Sequence, residues 1–160
     1  MDREEKLRYL TALGLTEKAA AYYLRYDTDT RAVVPAFRLL KPLDDDLAFF
    51  RGEYSALLKQ WQAEGSLDAL DPWAGALMKA GASAELVEQF AYVKTLQAYE
   101  QLLYQLDDHA GAEQGEAFDR EDFSRCGYGR LMEMGPDGEP TGRVLFDVHG
   151  MLPFSEEVNL

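Results

Sequence analysis

Ser83-Ala-Glu-Leu-Val-Glu-Gln-Phe-Ala-Tyr-Val-Lys-Thr-Leu-Gln-Ala-Tyr-Glu-Gln-Leu-Leu-Tyr-Gln-Leu-Asp-Asp-His-Ala-Gly111 decides the fold class. Leu86, Phe90, Val93, Leu96, Tyr99, Leu103 and Leu106 recur at spacings of three and four, which is one stripe of a helix rather than the alternation of a strand. Ser83 stands where an N-cap belongs, and Gly111 supplies a stop. The spacing predicts the longest helix of the chain, over roughly 84–108.

Upstream, the same punctuation repeats. Leu7, Leu10 and Leu13 make a short stripe ended by Gly14, and Thr16 can cap a second helix rich in Ala and Tyr. Asp27-Thr-Asp-Thr30 reads as a loop. Pro35 can open a short helical turn through Leu40, because proline is tolerated in a first turn. Pro42 then breaks the chain. Asp44 is expected to cap a long helix from 45 to 64, with Asp45 and Asp46 in its first turn and Gly65 at its end. Its stripe is Leu47, Phe50, Tyr54, Leu57 and Trp61. Asp71-Pro72 is a strong start signal for a short helix that ends near Gly81.

Downstream, the character changes. Residues 112–125 are polar and acidic, either a surface loop or a poorly stabilised short helix. Tyr128-Gly-Arg-Leu-Met-Glu-Met134 and Arg143-Val-Leu-Phe-Asp-Val-His149 flank Gly135-Pro-Asp-Gly-Glu-Pro140, a good hairpin signal. Val144, Phe146 and Val148 are expected on one face of the second strand. An isolated hairpin is marginal in water, so this one must pack on the helices or join another strand. The expected architecture is mainly α: one domain over 1–160, with a helical core of five or six helices over 1–110, an acidic connector over 112–125 and a β-hairpin over 128–149.

Composition agrees with a single globular domain that needs neither disulfide nor metal to fold. Cys126 is the only cysteine, so no intramolecular disulfide forms. No stretch has the length of a membrane span, and the charged start has no signal-peptide character. The expectation is a soluble, cytoplasmic protein without membrane contact.

The net charge of −13 is unevenly spread. Residues 1–80 hold 11 Lys/Arg against 13 Asp/Glu, whereas residues 81–160 hold 5 against 16. An acidic half argues against direct nucleic-acid binding and for a basic protein partner, a cation or plain solubility.

Candidate chemistry is sparse. Asp44, Asp45 and Asp46 read as a cap with acids behind it rather than as cation ligands. Asp107 and Asp108, before His109, are acids at a helix C-terminus, where the dipole disfavours them. Glu113, Glu116, Asp119, Glu121 and Asp122 lack the order of a calcium loop. Asp147 and His149 would share a strand face and, with Cys126, could form a catalytic set, but the types are common and the spacing is undistinguished. Gly127-x-Gly129 lacks the rest of a nucleotide loop. No cofactor or metal is expected. Tyr22, Tyr23 and Tyr26, and Tyr92, Tyr99 and Tyr104, suit the rim of a core.

The stretch from Gly129 to Arg143, Gly-Arg-Leu-Met-Glu-Met-Gly-Pro-Asp-Gly-Glu-Pro-Thr-Gly-Arg, resembles a hairpin of small acidic bacterial proteins, among them immunity proteins encoded beside antibacterial toxins. The resemblance covers about 15 residues and supplies no functional residue. It implies a cytosolic antidote that binds one toxin. Independently, the charge distribution predicts a non-enzymatic protein that neutralises a basic partner. Asp107, Asp108, Glu113, Glu116, Asp119 and Asp122 would steer the encounter, and Phe118 and Phe123 or the tyrosines would anchor it. Three rival readings are a nucleic-acid mimic that occupies a DNA- or RNA-binding groove, an unrecognised enzyme around Asp147, His149 and Cys126, and a homo-oligomer whose acidity serves solubility.

Overall fold

The structure is a computed structural model that describes residues 1–106, 131–145, 148 and 151–154. It is mainly helical, with a small three-stranded sheet. In chain order the elements are α1 (Arg3–Ala12), α2 (Glu17–Tyr23), β1 (Arg31–Ala32), α3 (Val33–Gly52), α4 (Tyr54–Glu64), α5 (Leu67–Leu70), α6 (Pro72–Lys79), α7 (Ala84–Leu106), β2 (Met132–Met134) and β3 (Pro140–Leu145). Among the described residues, no helix is long and apolar enough to cross a membrane.

The chain divides into two compact units. The first holds residues 1–42 and 99–160, the second residues 43–98. In the first, α1 starts with a capping box: Asp2 accepts from the Glu5 amide, and the Glu5 carboxylate accepts from the Asp2 amide. Thr16 caps α2 as its sequence position predicts. Leu10, Ala20, Val33, Phe37, Leu40 and Leu103 are buried, and so are Val148, Met151, Leu152 and Phe154. Phe37 meets Tyr23 and Phe154 edge-on, with ring centroids 4.9 and 5.1 Å apart. The tyrosines of α2 lie half-buried at the rim, as expected, and the Tyr22 and Tyr26 hydroxyls bond each other at 3.1 Å.

The hairpin joins another strand, which resolves how it is stabilised. β3 lies between β2, antiparallel to it, and β1, parallel to it, with Arg31 opposite Val144 and Ala32 opposite Leu145. The turn closes with the Gly138 amide donating to the Gly135 carbonyl at 3.0 Å, and Gly138 has φ 83°. That is a three-residue hairpin loop with glycine in the left-handed position. The register shifts between Met132 and Met134, and Gly142 (φ 84°) lies in the bulged part of β3. β3 ends at Leu145, so Val148 is buried beyond the strand rather than on its face. Phe146, Asp147 and His149 lie outside the described residues.

Two expectations about the middle of the chain are corrected. Pro42 does not break the helix: α3 runs through it. A proline inside a helix forfeits one hydrogen bond and crowds the preceding turn, at about 3 kcal/mol. Full burial of Phe37, Leu40 and Leu47 on either side offsets that cost. Asp44 is therefore no N-cap but a buried residue of the helix interior, and Asp45 and Asp46 lie mid-helix. The interruption comes instead at Glu53 (φ −122°), so the helix expected over 45–64 is two helices.

The second unit closes around Tyr54, Leu58, Leu67, Ala74, Ala84 and Val87, with Phe49, Phe50, Trp61 and Met78 against them. Asp71 caps α6 through the Ala74 amide at 2.9 Å and accepts the Tyr54 hydroxyl as well. Ser83 caps α7, accepting from the Leu86 amide at 3.2 Å.

Candidate functional site

In the first unit an open groove of about 820 Å³ runs beside the sheet. Its charged lining is Lys6 from α1, Asp27 from the loop before β1, Arg38 from α3, Glu133 from β2 and Arg143 from β3. Val34, Pro35, Leu39, Met132, Met134 and Leu145 are among its apolar lining residues.

Arg143 organises the charged side. Its guanidinium donates to Asp27, to the Glu133 carboxylate at 2.9 Å, to the Thr28 carbonyl at 2.9 Å and to the Arg31 carbonyl at 2.8 Å. A planar fork of five N–H donors suits such a fan, which lysine could not make. Asp27, with a side chain 6% exposed, also accepts from Lys6 and from the Val33 amide at 3.1 Å. Burial alone would push the Asp27 carboxyl up. The Lys6 hydrogen bond, the Val33 amide and the Arg143 charge outweigh it and hold the carboxyl below its ordinary value. The network therefore clips the loop before β1 to the hairpin.

Arg38 differs from these groups. It is exposed, and among the described residues no ion pair engages it. The groove carries three cations against two carboxylates, a local excess of positive charge in a chain of net charge −13.

The second unit presents a different surface. Trp73 is 83% exposed, and Leu77, one turn further along α6, is also exposed. On α7, Leu86 (57%) and Phe90 (55%) are exposed, as is Val93. The sequence stripe places these three towards the core, and the structure corrects that. The side chains that α7 buries here are Ala84 and Val87, while Ala91 packs against the same core and Glu88 accepts from the Ser55 amide at 2.7 Å. Large apolar side chains left in water are the unusual observation, and tryptophan is the residue most enriched at binding hot spots.

The predicted partner-binding residues Asp107, Asp108, Glu113, Glu116, Phe118, Asp119, Asp122 and Phe123 all lie outside the described residues, as do Cys126, Asp147 and His149. The structure brings together instead Lys6, Asp27, Arg38, Glu133 and Arg143, which come from four distant stretches of sequence. A weak signal was available: Arg143 follows a turn next to β-prone residues, and Asp27 stands in a polar loop. Nothing in sequence pairs two residues so far apart. The comparisons with known proteins add no relative: no family model, no curated protein and no solved structure matches this chain.

Proposed function

We propose that this chain is a non-enzymatic binding protein that captures a basic protein partner and neutralises it. The observation that supports this reading best is the exposed apolar stripe of α7, Leu86, Phe90 and Val93, on a helix that leads toward the acidic stretch beginning at Asp107. Apolar anchors and a high density of like charge carried on one chain are what electrostatically steered association uses. The charge raises the encounter rate, and the desolvated anchors hold the complex. The net charge of residues 81–160, 5 Lys/Arg against 16 Asp/Glu, favours a basic target. In the form that the hairpin resemblance implies, the target is an antibacterial toxin and the chain its antidote.

The test is affinity capture from the native host's lysate at low and high salt, with the wild type, a variant with Asp107, Asp108, Glu113, Glu116, Asp119 and Asp122 replaced by Asn or Gln, and Phe90→Ala. One basic protein recovered one-to-one, released by salt and lost with the six-acid variant, is the expected result. Capture indifferent to both salt and the acids would refute the reading.

A further inference from the structure

We infer that the open edge of β2 and the groove beside it bind an extended segment of a partner protein that carries apolar side chains and one carboxylate, with the carboxylate on Arg38. This surface is separate from the acidic stretch and goes beyond the reading above.

Three observations carry it. The first is the edge itself. The Leu145 amide donates to the Leu131 carbonyl at 2.8 Å, and the Gly135 amide donates to the Glu139 carbonyl at 2.8 Å. These bonds flank the pairs Met132–Val144 and Met134–Pro140. Both are therefore pairs without a hydrogen bond of their own, and the amides and carbonyls of Met132 and Met134 point away from β3. Among the described residues β2 is an edge of the sheet, so those groups face a place where a further strand would pair.

The second observation is the side chains at that edge. Met132 and Met134, 39% and 56% exposed, line the groove with Leu39. Methionine is a flexible, polarizable side chain that moulds to varied apolar partners. An edge of three residues offers few main-chain bonds, so the groove must supply the remaining affinity and the choice of side chain.

The third is charge. Lys6 and Arg143 already serve Asp27 and Glu133, while Arg38 is exposed and carries no ion pair among the described residues. A guanidinium over an apolar groove selects a ligand with a carboxylate beside apolar groups. A second copy of this chain is the wrong occupant, since two bodies of net charge −13 repel.

The probes are short fluorescein-labelled peptides of alternating valine and threonine, each with a single glutamate at a different position, and their glutamine twins. Binding is read by anisotropy on the full chain. The contact is mapped by NMR of labelled methionine methyls, with Met78 of the second unit as the internal control. The expected result is that Met132 and Met134 shift while Met78 does not, and that the best glutamate peptide binds about fivefold tighter than its twin. Arg38→Gln should erase that gap. The six-acid variant should bind these peptides as the wild type does, which separates failure here from failure of the partner-capture reading. Unmoved Met132 and Met134 methyls with every peptide, equal affinity of the twins, or a gap that survives Arg38→Gln would each overturn the inference.

Discussion

Each unit buries apolar side chains, but the two differ in what joins their distant parts. The second is contiguous in sequence, residues 43–98, and closes on apolar side chains with a phenol–carboxylate bond at its margin. The first is assembled from both ends of the chain and is clipped by charge: Lys6, Asp27, Glu133 and Arg143 join α1, the loop before β1 and the hairpin. Local apolar closure can be read from spacing. Closure by charges more than a hundred residues apart cannot, and it exposes the unit to solution conditions that leave an apolar core unmoved.

The largest effect should come from the apolar unit. Leu58 is fully buried, and Leu58→Ala should cost about 3 kcal/mol through lost transfer energy and a residual cavity. Both tryptophans, Trp61 and Trp73, lie in this unit, and Trp61 packs against its core. Tryptophan fluorescence therefore reports it selectively during denaturant unfolding. If the Met132 and Met134 methyls lose their native NMR signals at the same denaturant concentration as the tryptophan signal moves, the two units unfold as one and the contrast holds only for the folded state.

Asp27→Asn is the matching change in the first unit. It leaves Lys6 and Arg143 facing a neutral amide and should cost about 2 kcal/mol, less than removing a fully buried charge because Arg143 keeps Glu133 and two carbonyls. The same carboxylate sets an acid limit. Its folded pKa lies below the unfolded value of 3.8, so its contribution is complete above that value and disappears as pH falls through the lower one. Acid titration below about pH 4 should move the Met132 and Met134 methyls in the wild type, and the Asp27→Asn variant should lack that step. A step of equal size in both proteins would show that other carboxylates govern it.

Tyr54 sets the opposite limit in the second unit. Burial first, then the hydrogen bond and charge of Asp71, hold the phenol protonated well above its usual value of 10.0. A raised folded pKa gives stability that is complete below the unfolded value and is lost at higher pH. The apolar unit should therefore weaken in alkali and the charged unit in acid. Tyr54→Phe should cost about 1.5 kcal/mol at neutral pH, since Asp71 keeps the Ala74 amide, and should flatten the alkaline limb of the tryptophan signal. An unchanged limb would place the alkaline transition elsewhere.

The sequence was legible wherever a local rule suffices. Thr16, Asp71 and Ser83 act as caps because a cap needs only the next three residues. It misled where tertiary burial overrules local chemistry, as at Pro42 and Asp44. It misled again on α7, where apolar residues at 84, 86, 87, 90, 91 and 93 spread over half of the helix circumference. Periodicity shows that such a helix exists, but it does not choose between Leu86 with Phe90 and Ala84 with Val87. Of the candidate surfaces, neither the groove nor its charge network was legible, because Asp27 and Arg143 meet only through the parallel pairing of β1 with β3. A strand of two residues has no period to detect.

The smallest expected effect tests the register of the hairpin. Gly142 has φ 84° with open space where a Cβ would stand, so Gly142→Ala meets no neighbour and pays for backbone geometry alone. The expected cost is about 1 kcal/mol. Because the bulge at Gly142 sets the register between β2 and β3, the loss should appear in the hairpin: faster amide exchange at Val144 and Leu145, and unchanged tryptophan fluorescence. Exchange that quickens equally in α4 would mean that the sheet and the apolar unit share one cooperative transition, and the contrast between charge-clipped and apolar closure would then describe contacts rather than independent stabilities.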